Sequence, residues 1–156
     1  MSKHQELLQG FRHFAETASN SAALMTHISQ RLHDQLARYN WVGFYLVDKA
    51  DPGILVVGPY VGSFSPNERI PINKGLCGAA AMTRQTVVVN DVAADPRYLS
   101  GSEIVKANLV APIFARNELV AELDIESYFA NTFTKAEQTF AEEIAALVGK
   151  FMEKKS

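Results

Sequence analysis

The chain has 156 residues, 47% of them hydrophobic and 21% charged, with a formal net charge of −2. That length suits one domain with a single core, and so small a charge offers no electrostatic hold on nucleic acid or an anionic membrane. No apolar run approaches the roughly 20 residues that span a bilayer, "MSKHQELLQG" lacks the apolar centre of a secretion signal, and a lone cysteine, Cys77, excludes an intrachain disulfide and a CxxC-type metal site. The expectation is a cytoplasmic protein with no metal or cofactor and no nucleic-acid or membrane partner.

Leu7, Leu8, Phe11 and Phe14 recur at helical spacing and predict a first helix. After "SNS", Ser21 is placed to cap a second helix to about Arg38, with Leu24, Ile28, Leu32 and Leu36 as a narrow apolar stripe. The two helices together cover about residues 3–38. "NWVGFYLVD" then crowds aromatic and β-branched residues into a strand, and "ILVVGPYVG" returns across the turn "KADPG", with Pro59 marking an edge or a bulge. A short extended "RIPI", a short helix from Gly75 to Arg84 and a short strand "TVVVNDV" follow. "SEIVKANLVAPIFA" and "ELVAELDIES" form a second hairpin across "RNE". From Thr134 to Lys154 the chain is helical, Thr134 and Glu137 fitting a capping box, with Phe140, Ile144, Leu147, Val148 and Phe151 as its buried stripe. Sheet and loops therefore occupy about residues 40–128. The order predicts an α+β sandwich, a mostly antiparallel sheet with the terminal helices on one face.

Strand residues alternate faces. Trp41, Gly43 and Tyr45 share one, and two aromatics around a glycine either pack under a loop or leave room for a ligand. On "ELVAELDIES", Leu119, Ala121, Leu123 and Ile125 point one way, and Glu122, Asp124 and Glu126 the other. A row of three carboxylates is either a solvated face or, if covered by the loop carrying "SEIV" with Glu103, a cluster that must hold protons or take a cation. Aromatics beside carboxylates suit an ammonium group. Cys77 in "NKGLCGAA" sits where a loop enters a helix. Helix dipole and nearby Lys74 would lower its pKa, unless it is an ordinary buried thiol. His4, His13, His27 and His33 fall in the first two helices at no metal-site spacing.

Taken together, "NWVGFYLV", "LVVGPYVG", "RIPINKGLCGAAA", "VVVNDV", "SEIV", "VAPIF" and "LVAELDIES" resemble, in order and spacing, the GAF-domain free methionine-(R)-sulfoxide reductases over about Gln5 to Phe151. The resemblance implies a GAF fold spanning residues 1–156, a homodimer through the terminal helices, and a pocket for free methionine sulfoxide on the sheet face away from the helices. By the same resemblance Trp41 and Tyr45 line that pocket, Glu103 binds within it, and Asp124 and Glu126 take the acidic positions of the family's "L-D-I-D-S". The family's attacking cysteine lies in "C-D-x-x-S-x-S-E-I-V". Here the stretch is "ADPRYLSGSEIV", with Pro96 at that position, and Cys77 falls on a position that resembles a resolving cysteine. A third family cysteine falls on Val87. The resemblance with these departures implies a small-molecule binding protein for a free amino acid or similar ammonium-bearing metabolite, catalytically impaired. The alternatives are an L-methionine (R)-S-oxide reductase that uses Cys77 with an external thiol, and a signalling subunit acting through a partner protein.

Overall fold

The structure is a computed structural model that describes residues 1–99 and 102–155. Its elements, in chain order, are α1 (Lys3–Thr17), α2 (Ser21–Gln35), β1 (Trp41–Val47), β2 (Ile54–Gly62), β3 (Arg69–Pro71), α3 (Gly75–Thr83), β4 (Val87–Val89), a 3-10 turn (Val92–Ala94), β5 (Ala107–Ala115), β6 (Glu118–Ser127) and α4 (Lys135–Lys154). The strands form one six-stranded antiparallel sheet in the order β3-β2-β1-β6-β5-β4. The expected α+β class is what the chain adopts, an antiparallel sheet with the terminal helices on one face. Both predicted hairpins form, and the chain's late strand β6 pairs with its first strand β1.

The alternation read from the sequence sorts the sheet's two faces. Val42 and Phe44 of β1, Leu109, Ala111 and Ile113 of β5, and Ala121, Leu123 and Ile125 of β6 meet the buried stripes of α1, α2 and α4. The opposite face carries a second apolar cluster with Trp41, Tyr45, Val110, Leu76 and Cys77, roofed by α3 and its flanking loops. One sheet thus serves a largely apolar core below and a mixed layer above.

Several boundaries differ from expectation for local reasons. Asn20, not Ser21, caps α2, its side chain accepting from the Ala23 N–H at 2.8 Å, and the helix stops at Gln35 because Leu36 is extended. Thr134 caps α4, but only half of the capping box forms. Glu137 turns away to the Tyr39 hydroxyl and to His4, which stacks on Phe140. Pro59 sits at a bulge, where the β1–β2 register jumps between Gly43↔Tyr60 and Tyr45↔Val57. β5 begins only at Ala107, so "SEIV" is not strand: Glu103 and Ile104 lie in a turn.

Candidate ligand pocket

β6 brings its acids to the roofed face at every second residue. Glu122 is wholly buried, Asp124 is 4% exposed and Glu126 7%. The row is therefore not a solvated sheet face, and the covered alternative holds. Asn108, on β5 opposite Glu126, donates its side-chain amide to Asp124 Oδ1 at 2.6 Å and to the Ile125 carbonyl at 2.9 Å. The Tyr98 hydroxyl donates to Glu126 Oε1 at 3.1 Å. Among the described residues neither oxygen of Glu122 has a hydrogen-bond partner.

Asp124, Glu126, Asn108 and Tyr98, but not Glu122, border a cavity of about 30 Å³ lined also by Tyr45 and Cys77, with Phe64, Pro66, Asn67 and Leu99 above. Two hydrogen bonds hold the Phe64–Asn67 side of the roof: Trp41 Nε1–H to the Phe64 carbonyl at 3.3 Å, and the Tyr45 hydroxyl to the Asn67 carbonyl at 3.1 Å. Leu99 lies against Gly75, whose φ of +69° suits glycine. A Cβ there would stand 2.9 Å from Leu99 Cδ1.

Burial dominates the electrostatics. It pushes Glu122 well above the usual carboxylate range, with the charge of Asp124 adding to the effect. Asp124 rises to about 6, again through burial, moderated by hydrogen bonds from Asn108 and Glu126. Glu126 is raised by burial and by Asp124, its carboxyl neighbour two residues away. Two adjacent acids in low dielectric cannot both ionise cheaply, so they share a proton. Burial and the charges of Asp124 and Glu126 likewise raise Tyr45 far above its ordinary value.

Cys77 corrects one expectation. It is the third residue of α3, as the sequence suggests, but it is buried, and its pKa is raised rather than lowered. Burial is the main cause, followed by Asp124, Glu122 and Glu126. Lys74 lies on the cavity's lining but is exposed, so solvent screens its charge. The dipole of a nine-residue helix cannot outweigh three facing carboxyls.

The structure thus brings Tyr45, Asp124, Glu126 and Cys77 to one cavity. Trp41 lies beneath its wall, fully buried and stacked between Tyr60 and Phe64 at 5.2 and 5.9 Å. The room imagined over Gly43 is taken by aromatic packing: a Cβ there would stand 2.8 Å from Trp41 Cη2. Glu103 does not join the cluster; it is exposed on its turn and does not line the cavity. Ser100 and Gly101, just before that turn, lie outside the described residues. Sequence reasoning missed Asn108 and Tyr98. Asn108 left a legible signal, a lone amide inside the apolar run "ANLVAPIFA". Tyr98 left none, since it sits on irregular chain.

An antiparallel sheet with terminal helices on one face and a loop-roofed pocket on the other defines the class. The GAF domain family model matches residues 20–151, and the chain belongs to that family. Within it, the chain is similar to free methionine-R-sulfoxide reductases. The Neisseria meningitidis enzyme, solved in complex with its substrate, superposes with a TM-score of 0.90 at 29% identity, covering 96% of this chain and 88% of that one. The Escherichia coli enzyme is 28% identical over 146 residues, 94% of this chain and 82% of its own length. The Saccharomyces cerevisiae enzyme is 29% identical over 133 residues, 85% and 72%.

Proposed function

We propose that this chain is a GAF-type receptor for a free amino acid or a closely related ammonium-bearing metabolite, without the attacking cysteine that its reductase relatives resemble one another in carrying. One observation carries the reading. Asp124 and Glu126 line a buried pocket, with Glu122 buried on the same face of β6, while among the described residues no lysine, arginine or histidine is buried to balance them and the one cation on the pocket's lining, Lys74, is exposed. An ammonium group would supply that cation, through charge-assisted hydrogen bonds to Asp124 and Glu126 and the faces of Tyr45 and Phe64. A cavity of about 30 Å³ holds one water-sized molecule. An amino acid therefore enters only as the Phe64–Asn67 loop and the Tyr98–Leu99 segment part. Relatives named for methionine sulfoxide support the amino-acid class of ligand. By the same likeness, the terminal helices are proposed as a homodimer face.

Calorimetric titration with methionine, both sulfoxide epimers and simple alkylamines tests this. Saturable heat that falls in Asp124→Asn is expected, and no heat with any of them at millimolar concentration refutes it.

A second reading has its own observation in favour. Cys77 lines the same cavity as Asp124 and Glu126. A reductase using Cys77 would attack the sulfoxide sulfur, be left as a sulfenic acid, and be restored by an external thiol. Turnover of free methionine-(R)-sulfoxide with excess dithiol, abolished in Cys77→Ser, supports it. No turnover ends it.

A further inference from the structure

Asn108 is the pocket residue that the ligand reading leaves half used. It is 4% exposed and lines the cavity beside Asp124 and Glu126. Its backbone is held on both sides, paired with Val89 of β4 and Glu126 of β6. A side-chain amide has two N–H donors and one acceptor oxygen. The donors go to Asp124 Oδ1 at 2.6 Å and to the Ile125 carbonyl at 2.9 Å. Both partners accept, so the nitrogen must face them and the orientation of the amide is settled. Every hydrogen bond that this side chain makes among the described residues is made by the nitrogen. The oxygen, Oδ1, is what remains for the cavity. Asp124 and Glu126 likewise give one oxygen to a neighbour, Oδ1 to Asn108 and Oε1 to the Tyr98 hydroxyl, and each keeps its other oxygen. Tyr45 adds no donor, since its hydroxyl is spent on the Asn67 carbonyl. The wall therefore presents acceptors from three side chains on two adjacent strands, and a bare acceptor in a closed space is costly until something donates to it.

We propose that Asn108 is a specificity-determining residue, whose Oδ1 completes with Asp124 and Glu126 a three-acceptor cradle that selects a primary ammonium group over its N-methylated forms. This deepens the ammonium reading above and rests on it. A primary ammonium carries three N–H donors, one for each leg of the cradle, and the proton that the two acids share gives way to it. One N-methyl group leaves one acceptor bare, and three methyl groups leave all of them bare. Size acts in the same direction. The cavity of about 30 Å³ takes a head the size of a water molecule, which an ammonium group is and a trimethylammonium group is not. The faces of Tyr45 and Phe64 draw a cation whether or not it is methylated, so they add affinity without adding this choice. A neutral third leg also has a physical reason. A third carboxylate would crowd like charge onto two acids that already hold each other's protons. The amide accepts an N–H bond without that cost, and its own N–H groups fix Asp124 in place.

Calorimetric titration of the wild-type chain with L-methionine, N-methyl-L-methionine and N,N,N-trimethyl-L-methionine tests the choice. The first methyl should weaken binding about tenfold and all three together at least about 100-fold, as lost hydrogen bonds to charged groups do. Asn108→Leu removes the third acceptor. It should weaken methionine about tenfold and erase the penalty for the first methyl, so that methionine and its N-methyl form bind alike. A purely structural role for Asn108 would weaken both ligands equally and leave that penalty in place. Asn108→Asp, which keeps an acceptor at this position, should retain the preference for methionine over its N-methyl form. If Asn108→Leu does not fold, the wild-type series decides alone. Affinities for methionine and its trimethyl form within about threefold of each other, or a first-methyl penalty that Asn108→Leu leaves unchanged, overturn the proposal while the ammonium reading stands. Heat from none of the three ligands refutes that reading, and this proposal with it.

Discussion

Replacing Asp124 by asparagine tests the electrostatics of the pocket most directly. Asp124 is buried, and its carboxyl rises from 3.8 to about 6 in the folded protein. A folded pKa above the unfolded one means the neutral form is favoured by folding. Its stabilisation is present below about pH 4 and is lost as pH rises through 6. The difference amounts to about 3 kcal/mol, of which about 2 fall between roughly pH 4.5 and pH 8. Asparagine keeps an oxygen for the Asn108 amide and carries no charge, so the variant should escape this loss. Removing Asp124 also removes its charge from Glu126, which acts in the same direction. Urea unfolding followed by the single tryptophan, the buried Trp41, gives the free energies. Relative to wild type, Asp124→Asn should gain about 2 kcal/mol on moving from pH 4.5 to pH 8. Exposed acids such as Asp95, held down by Arg97, cancel in the comparison. A gap that stays constant within about 0.5 kcal/mol would show that Asp124 is not buried beside its fellow acids in solution, and the pocket argument would fall with it.

Trp41→Phe removes the Nε1–H bond to the Phe64 carbonyl and part of the stack with Tyr60 and Phe64. It should cost about 1–2 kcal/mol by circular dichroism in urea and speed amide exchange across residues 63–67. Gly62→Ala would set a methyl 2.7 Å from Trp41 Cγ, forcing the indole aside. A loss of about 1–3 kcal/mol is expected. Gly10→Ala, in α1 with nothing within 4 Å of the added methyl, should instead stabilise by up to about 1 kcal/mol, and the two urea midpoints should move in opposite directions.

Alternation and periodicity made much of this fold legible. "WVGFYLV" and "AELDIES" each carry a strict two-residue rhythm, and the sheet sorts them onto its faces as that rhythm requires. What the sequence could not carry was depth. Glu122, Asp124 and Glu126 read the same whether a loop covers them or water does. Only the placement of α3 and the Phe64–Asn67 loop decides, and both come from distant chain. The same ignorance of depth misjudged Cys77: a position at a helix start is local, while the carboxyls that reverse its pKa arrive from a strand some 45 residues further along. Glu103 is a different case. Its motif pointed to a binding role, but the chain there is a turn exposed to solvent.

Cavity size and protonation are two sides of one condition. With the roof closed, the cavity admits about one water-sized molecule, and a carboxylate there loses most of its hydration. Neutral acids are what such a space permits, and neutral acids attract a cation weakly. An ammonium ligand that parts the roof brings both hydration and charge, and each favours ionised Asp124. Binding and deprotonation therefore reinforce one another. Affinity for an amine should climb with pH through about 6 until Asp124 is ionised without help. A titration series in buffers of different ionisation enthalpy should detect a proton released per ligand bound below that pH. Affinity flat from pH 5 to pH 8 with no proton release would mean that the ligand does not touch these acids.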